Sequence, residues 1–236
     1  MTVPTGDICL RVSGLTKRYG ALRALDEVSF EVRSGEILGV IGPNGSGKTT
    51  LFECIGGVLP RDSGNVDAAV PLFYLPDAIA PWPAQTVSWS LDFTAGYFGA
   101  PAGSRDAVIA ALALQPLLHQ RIGELSKGQR KRALLAIGLL TSRPLVLADE
   151  PFEGLDLKQA REVADALRGF AREGRTLILS IHQIPDAARV CDRFVLLSNG
   201  TVRGSGTLDE LIQVARATAG ASGTVGTLEE AFLALT

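Results

Sequence analysis

A glycine-rich segment that also carries a lysine and two threonines is the part of the chain best suited to bind phosphate. Residues 42–50 read G-P-N-G-S-G-K-T-T. Glycines let such a loop turn tightly and aim successive backbone N–H groups at an anion, and a following helix adds the positive end of its dipole. In this pattern Lys48 reaches the β- and γ-phosphates of a nucleotide, and Thr49 ligates Mg²⁺. The candidate phosphate-binding residues are Gly42, Pro43, Asn44, Gly45, Ser46, Gly47, Lys48, Thr49 and Thr50.

The elements around this loop support the same interpretation. The apolar run at residues 36–41 predicts a strand immediately before the loop, and a helix is expected at about residues 48–57. A glycine-rich turn without a ligand is the alternative, but the spacing of the glycines, the lysine and the threonine agrees with a phosphate loop between a strand and a helix. The sequence therefore predicts a nucleotide-binding protein.

Apolar runs further along the chain predict a parallel sheet. Residues 145–148 are a continuous apolar run of the buried type, a helix is expected at about 158–172, and residues 176–181 form a second apolar strand. Before the loop, residues 8–12 and 28–32 alternate apolar and polar side chains, which is typical of an antiparallel sheet. The chain is therefore expected to combine a parallel α/β core with an antiparallel β layer.

Turn residues and periodicity predict the remaining elements. Asn199-Gly200 is a strong signal for a hairpin turn. No internal repeat is present, so one copy of the fold is expected. The other expected elements are short strands at 65–69, 72–75, 194–197 and 201–204, a helical region at about 83–140, helical stretches that start at Thr207 and Leu228, and a small, flexible segment at 218–226.

Length and composition predict a single folded unit over residues 1–236. With 46% hydrophobic residues, the chain can bury one substantial core. No stretch approaches the ~18 to 20 apolar residues of a membrane span, and residues 1–10 lack the layout of a signal peptide, so a soluble, cytoplasmic chain is expected. The 23 basic and 25 acidic residues leave no excess of positive charge, which makes nucleic acid a poor partner. The three separated cysteines are expected to pack as small apolar residues.

Two further motifs indicate a family. Residues 125–129 read L-S-K-G-Q directly before a predicted helix at about 130–140, and Asp149-Glu150 follow the buried strand. Together with the phosphate loop, these motifs make the chain resemble an ABC-type ATPase over residues 8–211. The resemblance implies ATP and Mg²⁺ as cofactors and ATP hydrolysis as the activity. It implies an α/β fold of the P-loop NTPase class, an ABC ATPase cassette with a parallel-sheet core, an antiparallel β subdomain, a helical subdomain at about 77–140 and a short C-terminal extension at about 207–236.

The resemblance also implies a role for each side chain of the catalytic site. Asp149 holds Mg²⁺ together with Thr49, and Glu150 polarises the water that attacks the γ-phosphate. His182 contacts the γ-phosphate, and Tyr19 stacks on adenine. The implied catalytic residues are Glu150, His182 and Lys48. Each role has a structural alternative, because an acidic pair can cap a turn, a histidine can be an ordinary structural residue, and a tyrosine can pack in the fold.

The signature segment, residues 125–129, implies a second copy of the cassette. In the family, Ser126 and Gly128 donate hydrogen bonds to a γ-phosphate that is held by the Lys48 of another subunit. Hydrolysis therefore requires a head-to-tail pair of identical or closely related cassettes. The nucleotide-binding residues that this segment adds are Ser126, Gly128 and Gln129.

Three positions depart from the family pattern. Asp77 lies where a glutamine is common, so a shorter and charged side chain would have to reach Mg²⁺ or water. Asp77 is thus a candidate metal ligand beside Thr49 and Asp149. Lys127 replaces the commoner glycine of the signature, and Phe152-Glu153 replace a small polar pair. The other motif residues are present, so hydrolysis is expected rather than binding alone.

The resemblance finally implies a biological role. Leu75-Pro76-Asp77, the signature and the C-terminal tail look like those of cassettes that power bacterial exporters whose membrane subunits are separate chains. The implied partners are integral membrane permease subunits and a second cassette, and the chain would lie peripherally on the cytoplasmic face of the cell membrane. Aromatic residues of the helical subdomain are candidates for docking the permease or for its own core: Trp82, Trp89, Phe93 and Phe98.

Other functions remain as alternatives. A non-transport ABC ATPase that drives conformational change in a soluble or membrane-anchored assembly is the main one, although such relatives usually carry a coiled-coil insertion or a second cassette. A P-loop kinase or GTPase is disfavoured because it would have no use for the signature segment.

Overall fold

The computed structural model describes residues 6–77, 79–219 and 225–236. Most of the segment at 218–226, which was predicted to be flexible, lies outside the described residues. The same is true of residues 1–5, the first half of the segment that was compared with a signal peptide. The strands are β1 (Ile8–Tyr19), β2 (Leu22–Arg33), β3 (Ile37–Ile41), β4 (Ser63–Ala68), β5 (Leu72–Leu75), β6 (Leu145–Asp149), β7 (Thr176–Ile181), β8 (Arg193–Ser198) and β9 (Thr201–Gly206). The helices are α1 (Lys48–Ile55), α2 (Val87–Phe98), α3 (Ser104–Ala111), α4 (Lys127–Leu140), α5 (Leu157–Arg172), α6 (Ile184–Val190), α7 (Leu208–Ala219) and α8 (Leu228–Leu235), with 3₁₀ turns at Gln115–Leu117 and Ile122–Glu124.

A six-stranded sheet in the order β5-β6-β7-β3-β8-β9 forms the centre of the fold. It is parallel from β5 to β8, and β9 pairs antiparallel at its edge. Every residue of β3, β6 and β7 is buried, as their continuous apolar sequences predict. Because parallel strands end at the same edge of a sheet, the phosphate loop after β3 comes beside Asp149 at the end of β6 and His182 just after β7.

The sheet separates two apolar cores. On one face, Leu38, Leu147 and Ile178 pack with α1 and with the antiparallel sheet β2-β1-β4. On the other face, Ile37 and Leu179 pack with residues of helices α2 to α6. Alternate residues of each central strand point to opposite faces, so one apolar run contributes to both cores.

The predicted strands and helices are present in the predicted order, with differences at the boundaries, and α6 is an additional helix that was not predicted. The two N-terminal strands are longer than their alternating sequences suggest, since register shifts beyond Val12 break the period of two. The helical region at 83–140 consists of α2, α3, the 3₁₀ turns and α4. The predicted hairpin is present, with Asn199 and Gly200 both in the left-handed backbone region. Among the described residues, no helix has the length and apolar character needed to cross a membrane.

Candidate active site

The phosphate loop is packed so closely that two of its glycines cannot be replaced without movement of the backbone. A Cβ atom on Gly42 would lie 2.2 Å from the carbonyl oxygen of Leu197, and one on Gly47 would lie 2.5 Å from that of Ala24. Gly47 also has a φ of +105°, which L side chains rarely adopt. The tight turn that the sequence predicts is therefore imposed by neighbours from β2 and β8.

Lys48 is held against the loop that it follows. Its side chain is buried, and its Nζ donates to the carbonyl oxygens of Gly42 at 2.9 Å and Pro43 at 3.3 Å. The amine is thus fixed at the mouth of the loop, where the N-terminus of α1 adds positive potential.

A polar cavity of about 590 Å³ opens over the loop. This size suits a nucleotide, since small-molecule sites commonly have volumes of ~300–1,000 Å³. The predicted site residues that line it are Tyr19, Asn44, Gly45, Gly47, Lys48, Thr49, Thr50, Asp77, Glu150 and His182. The lining also includes six residues for which no ligand contact was predicted: Leu22, Arg23, Ala24, Glu153, Asn199 and Gly200. Of these, Asn199 and Gly200 were predicted to form a hairpin turn, but that pattern did not indicate a binding role.

Asp149 is buried at the end of β6 and keeps one oxygen free. Ser180, its neighbour on β7, donates a hydrogen bond to Asp149 Oδ1 and accepts one from the Glu150 backbone N–H at 2.9 Å. Asp149 Oδ2 is buried without a hydrogen-bond partner in the described structure. A buried carboxylate oxygen without a partner is costly, so this atom is well suited to accept a cation or a bound water.

Tyr74 adds a second polar group near this carboxylate. Burial raises the pKa of the Tyr74 phenol well above its usual range, and the negative charge of Asp149 raises it further. The phenol therefore remains protonated, and its oxygen has no partner within the described residues. It contributes no negative charge to this part of the structure.

Glu150 links the predicted catalytic residues. Its φ of +49° places it in the left-handed region, which is uncommon for a residue other than glycine and turns the chain sharply after Asp149. One carboxylate oxygen lies 3.5 Å from Lys48 Nζ, and the other lies 2.6 Å from His182 Nδ1. Lys48, Glu150 and His182, which are far apart in sequence, thus form one connected polar chain at the cavity.

Asp77 lines the cavity but is already paired. Its carboxylate contacts the Nζ of Lys131, which also donates to the carbonyl oxygen of Asp149 at 3.3 Å. Lys131 is only 4% exposed. The structure therefore places Asp77 at the predicted site and shows a cationic partner that the sequence did not indicate.

The signature residues are not in the lining of this cavity. Ser126 caps α4 in a reciprocal arrangement, in which its hydroxyl accepts from the Gln129 N–H and the Gln129 side chain accepts from the Ser126 N–H. A Cβ atom on Gly128 would lie 2.6 Å from the carbonyl oxygen of Gly154, so the signature packs directly on the turn that follows Glu150. Lys127 pairs with Glu153 of that turn at 2.5 Å.

Tyr19 lies at the open side of the cavity. Tyr19 is 48% exposed, and Lys17 Nζ lies 5.9 Å from the centroid of its ring. A half-exposed ring beside the cavity presents a face on which a base can stack.

Comparisons with known proteins agree on one family. The family model described as ABC transporter matches residues 25–153, which is more than half of the chain. The chain is 33% identical to the uncharacterized ABC transporter ATP-binding protein MJ1023 of Methanocaldococcus jannaschii, over 86% of the chain and 79% of that protein. It is 32% identical to the Nod factor export ATP-binding protein I of Ralstonia nicotianae, over 86% of the chain and 68% of that protein. It is also 32% identical to the phosphonates import ATP-binding protein PhnC of Caulobacter vibrioides, over 88% and 91% respectively.

The fold agrees with a solved structure. The chain is similar to the ATP binding subunit of an ABC transporter with a TM-score of 0.84 and 27% identity, over 96% of this chain and 99% of the other. The resemblance and the fold class predicted from the sequence are confirmed. The chain belongs to the ABC transporter family and is an ATP-binding subunit, an ATPase that works with membrane permease components.

Proposed function

We propose that the cavity over the phosphate loop is the ATP site and that Lys48, Glu150 and His182 carry out hydrolysis there with Mg²⁺. The observation that supports this most is the polar chain joining these three side chains directly beside the loop. Lys48 would meet the β- and γ-phosphates with a charge-assisted hydrogen bond. Tyr19 would stack on the base, and the loop N–H groups would surround the phosphates.

The donor set at the cavity fits Mg²⁺. Asp149 Oδ2 is a buried oxygen without a partner in the described structure, although Asp149 itself is not in the cavity lining, and Thr49 lines the cavity and carries a hydroxyl. Hard oxygen donors are those that Mg²⁺ prefers, and it usually keeps waters and phosphate oxygens as its other ligands. When bound, Mg²⁺ supplies charge neutralisation between the β- and γ-phosphates. Asp77 is the further candidate ligand, and one of its carboxylate oxygens is already in contact with Lys131.

Glu150 is placed to orient the attacking water. Its backbone is fixed by Ser180, and its carboxylate is fixed between a lysine and a histidine. A carboxylate held in this way would accept a hydrogen bond from a water and take its proton as the oxygen attacks the γ-phosphorus. The bond from that phosphorus to the β–γ bridging oxygen would break, and ADP would leave. His182 would hold Glu150 in orientation and contact the γ-phosphate.

A second cassette would complete the site. Ser126, Gly128 and Gln129 lie outside the cavity of their own chain, so their proposed contact with a γ-phosphate requires another copy or a close paralogue. Binding of two nucleotides between two facing cassettes would then close the pair, and loss of the γ-phosphates would release it.

The aromatic face of α2 is the proposed contact with the permease. Trp82, Trp89, Phe93 and Tyr97 are exposed by 39% to 75% of their area, and their rings form a continuous row with centroids 5.1 to 6.0 Å apart. Phe98 instead packs on Phe73 and is partly buried. An exposed apolar row of this kind marks an interaction surface. The permease would bind here and hold the cassette at the cytoplasmic face of the membrane.

Export is the proposed direction of transport. It is supported by the similarity to the Nod factor export protein and by the resemblance of Leu75-Pro76-Asp77 and the signature to exporter cassettes. The similar identity to the phosphonates import protein makes import the alternative. Substrate uptake or release by inverted vesicles that contain the cassette and its permease would separate the two directions.

The substitution Glu150→Gln tests the proposed chemistry. The amide keeps the size of the side chain but cannot take a proton from water, so ATP should still bind while turnover falls by about two orders of magnitude or more. Size-exclusion chromatography with ATP and Mg²⁺ should then show an accumulated closed dimer. Glu162→Gln on the exposed side of α5 is the matched control and should behave as the original chain. Normal turnover of Glu150→Gln would remove Glu150 from its proposed role.

A further inference from the structure

Lys131 is a buried cation in the first half of α4, where Arg132 beside it is also buried and most of the other buried side chains are apolar. It is 4% exposed, and ten other residues of α4 are buried as well. An ammonium group is costly to bury unless it is paired and hydrogen-bonded. Its contacts are the Asp77 carboxylate and the Asp149 carbonyl oxygen, which lie at the ends of two neighbouring strands, β5 and β6.

The charges around the cavity show a regular arrangement. The carboxylates that line it are those of Asp77, Glu150 and Glu153. Each is paired with a lysine, respectively Lys131, Lys48 and Lys127. Unpaired carboxylates would repel a polyphosphate. Because each carboxylate is neutralised by a lysine, the acidic residues of the lining do not prevent an anionic ligand from binding.

Two of these lysines come from one face of the same helix. Lys127 and Lys131 are four residues apart on α4, which places them one above the other. Through them, the start of α4 is joined to the cavity wall at two points. Asp77 also lines a neighbouring groove of about 370 Å³ together with Lys127, Arg130 and Lys131, so it stands between the cavity and the helix that carries the signature.

We propose that Lys131 is a positioning residue for this ATPase: it neutralises Asp77 at the cavity wall, and it joins α4 to the end of β6, where Asp149 and Glu150 are placed. This inference rests on the proposed ATP site. The first part concerns nucleotide binding and the second concerns turnover, so the two can be measured separately.

Binding of ATP to the full chain in EDTA tests the first part, because no metal then competes for Asp77. Lys131→Met leaves Asp77 unpaired and should weaken ATP binding by about three- to tenfold. Asp77→Asn leaves Lys131 unpaired and should strengthen binding by a similar factor. The double variant should return close to the original affinity. A residue that only supports the fold would weaken binding in both single variants, and that result would overturn the proposal.

Turnover with Mg²⁺ tests the second part. The double variant restores the charge balance but lacks the bond from Lys131 to the Asp149 carbonyl, so its KM should recover while its kcat stays low. Full recovery of kcat would overturn the joining role of Lys131. The exposed pair Lys158 and Glu162 on α5, 3.8 Å apart, provides the matched cycle with Lys158→Met and Glu162→Gln, for which no effect is expected.

Two further measurements distinguish a misfolded variant from a wrong proposal for Lys131. Thermal unfolding reports whether Lys131→Met is folded. If it is not, Asp77→Asn tests the proposal by itself: tighter ATP binding by this variant would support the role of Lys131, and weaker binding would contradict it. Absence of ATP binding by the unaltered chain would contradict the proposed site itself. Normal binding by the unaltered chain with no shift in either variant would contradict only the role of Lys131.

Discussion

The edge of the central sheet and the signature turn are both predicted to act on ATP, but they are built in different ways. At the sheet edge, Asp149 and Ser180 are buried and hydrogen-bonded to each other across neighbouring strands, and the buried Lys48 is bonded to carbonyl groups of the phosphate loop. At the signature turn, the capping box and the Lys127–Glu153 pair are largely exposed, with side-chain exposures of 59% and 34% in that pair. Exposed ion pairs contribute ~0–1 kcal/mol, whereas leaving a buried polar group unpaired costs ~1–3 kcal/mol.

This difference indicates that the two regions have different roles. The sheet edge has its geometry fixed within one chain, so the proposed ATP site would bind its nucleotide with little rearrangement. The signature turn is attached by weaker contacts and lies outside the lining of its own chain's cavity, which suits a surface that engages and releases a second cassette. Substitutions at the sheet edge should therefore change mainly the affinity for ATP, and substitutions at the signature turn should change mainly the formation of an active pair of cassettes.

The largest expected effect lies at the sheet edge. Lys48→Met removes a charge-assisted contact with phosphate, which is worth ~1.5–3 kcal/mol, so ATP affinity should fall by about ten- to a hundredfold. Equilibrium binding of ATP to the isolated chain measures this without any need for a dimer. Lys158→Met, on the exposed surface of α5 with 87% side-chain exposure, is the control for loss of a lysine. Unchanged affinity of Lys48→Met would show that the loop does not hold the phosphates.

Ser180→Ala tests whether the buried network is what fixes the sheet edge. The substitution leaves the Asp149 Oδ1 atom and the Glu150 N–H without their partner, so the free energy of unfolding should fall by about 1–3 kcal/mol. The kcat should fall as well, since Glu150 loses its fixed orientation, while KM for ATP changes little. Denaturant unfolding and steady-state kinetics measure the two effects.

Ser88→Ala serves as the comparison for Ser180→Ala. The Ser88 hydroxyl lies at the surface of α2, where it contacts Asp92 and Arg105, so removing it should leave stability nearly unchanged. Equal losses in the two variants would contradict the view that burial makes the Ser180 network important.

The sequence was most informative where function and local structure depend on neighbouring residues. The phosphate loop, β5 and β7 were expected at their observed positions. Asp149 is the last residue of β6, which is one residue longer than expected, and Glu150 follows the strand. Patterns of this kind are local, because glycine spacing and apolar runs act over a few residues. They were enough to predict the fold class and the edge at which the site forms.

Long-range pairing was beyond the sequence. Lys131 and Asp77 are 54 positions apart, and their contact depends on how α4 packs against the segment after β5. The same holds for Arg23, which reaches the cavity because β2 lies beside the loop. The first strand was predicted too short because its register shifts remove the alternation on which the prediction relied.

Within the two compared regions, Ser126→Ala should change stability least, and it is the most direct test of the comparison. Loss of the N-cap hydroxyl of α4 should cost ~1 kcal/mol in the free energy of unfolding. Thr227→Ala removes the hydroxyl of a similar capping box at α8, so it should cost about the same. If Ser126 also contacts the γ-phosphate on a second cassette, only Ser126→Ala should lower ATP turnover, and ATP affinity of the isolated chain should stay unchanged in both variants. Equal turnover in the two variants would mean that Ser126 is a helix cap and nothing more, and the second cassette would then lose its main support.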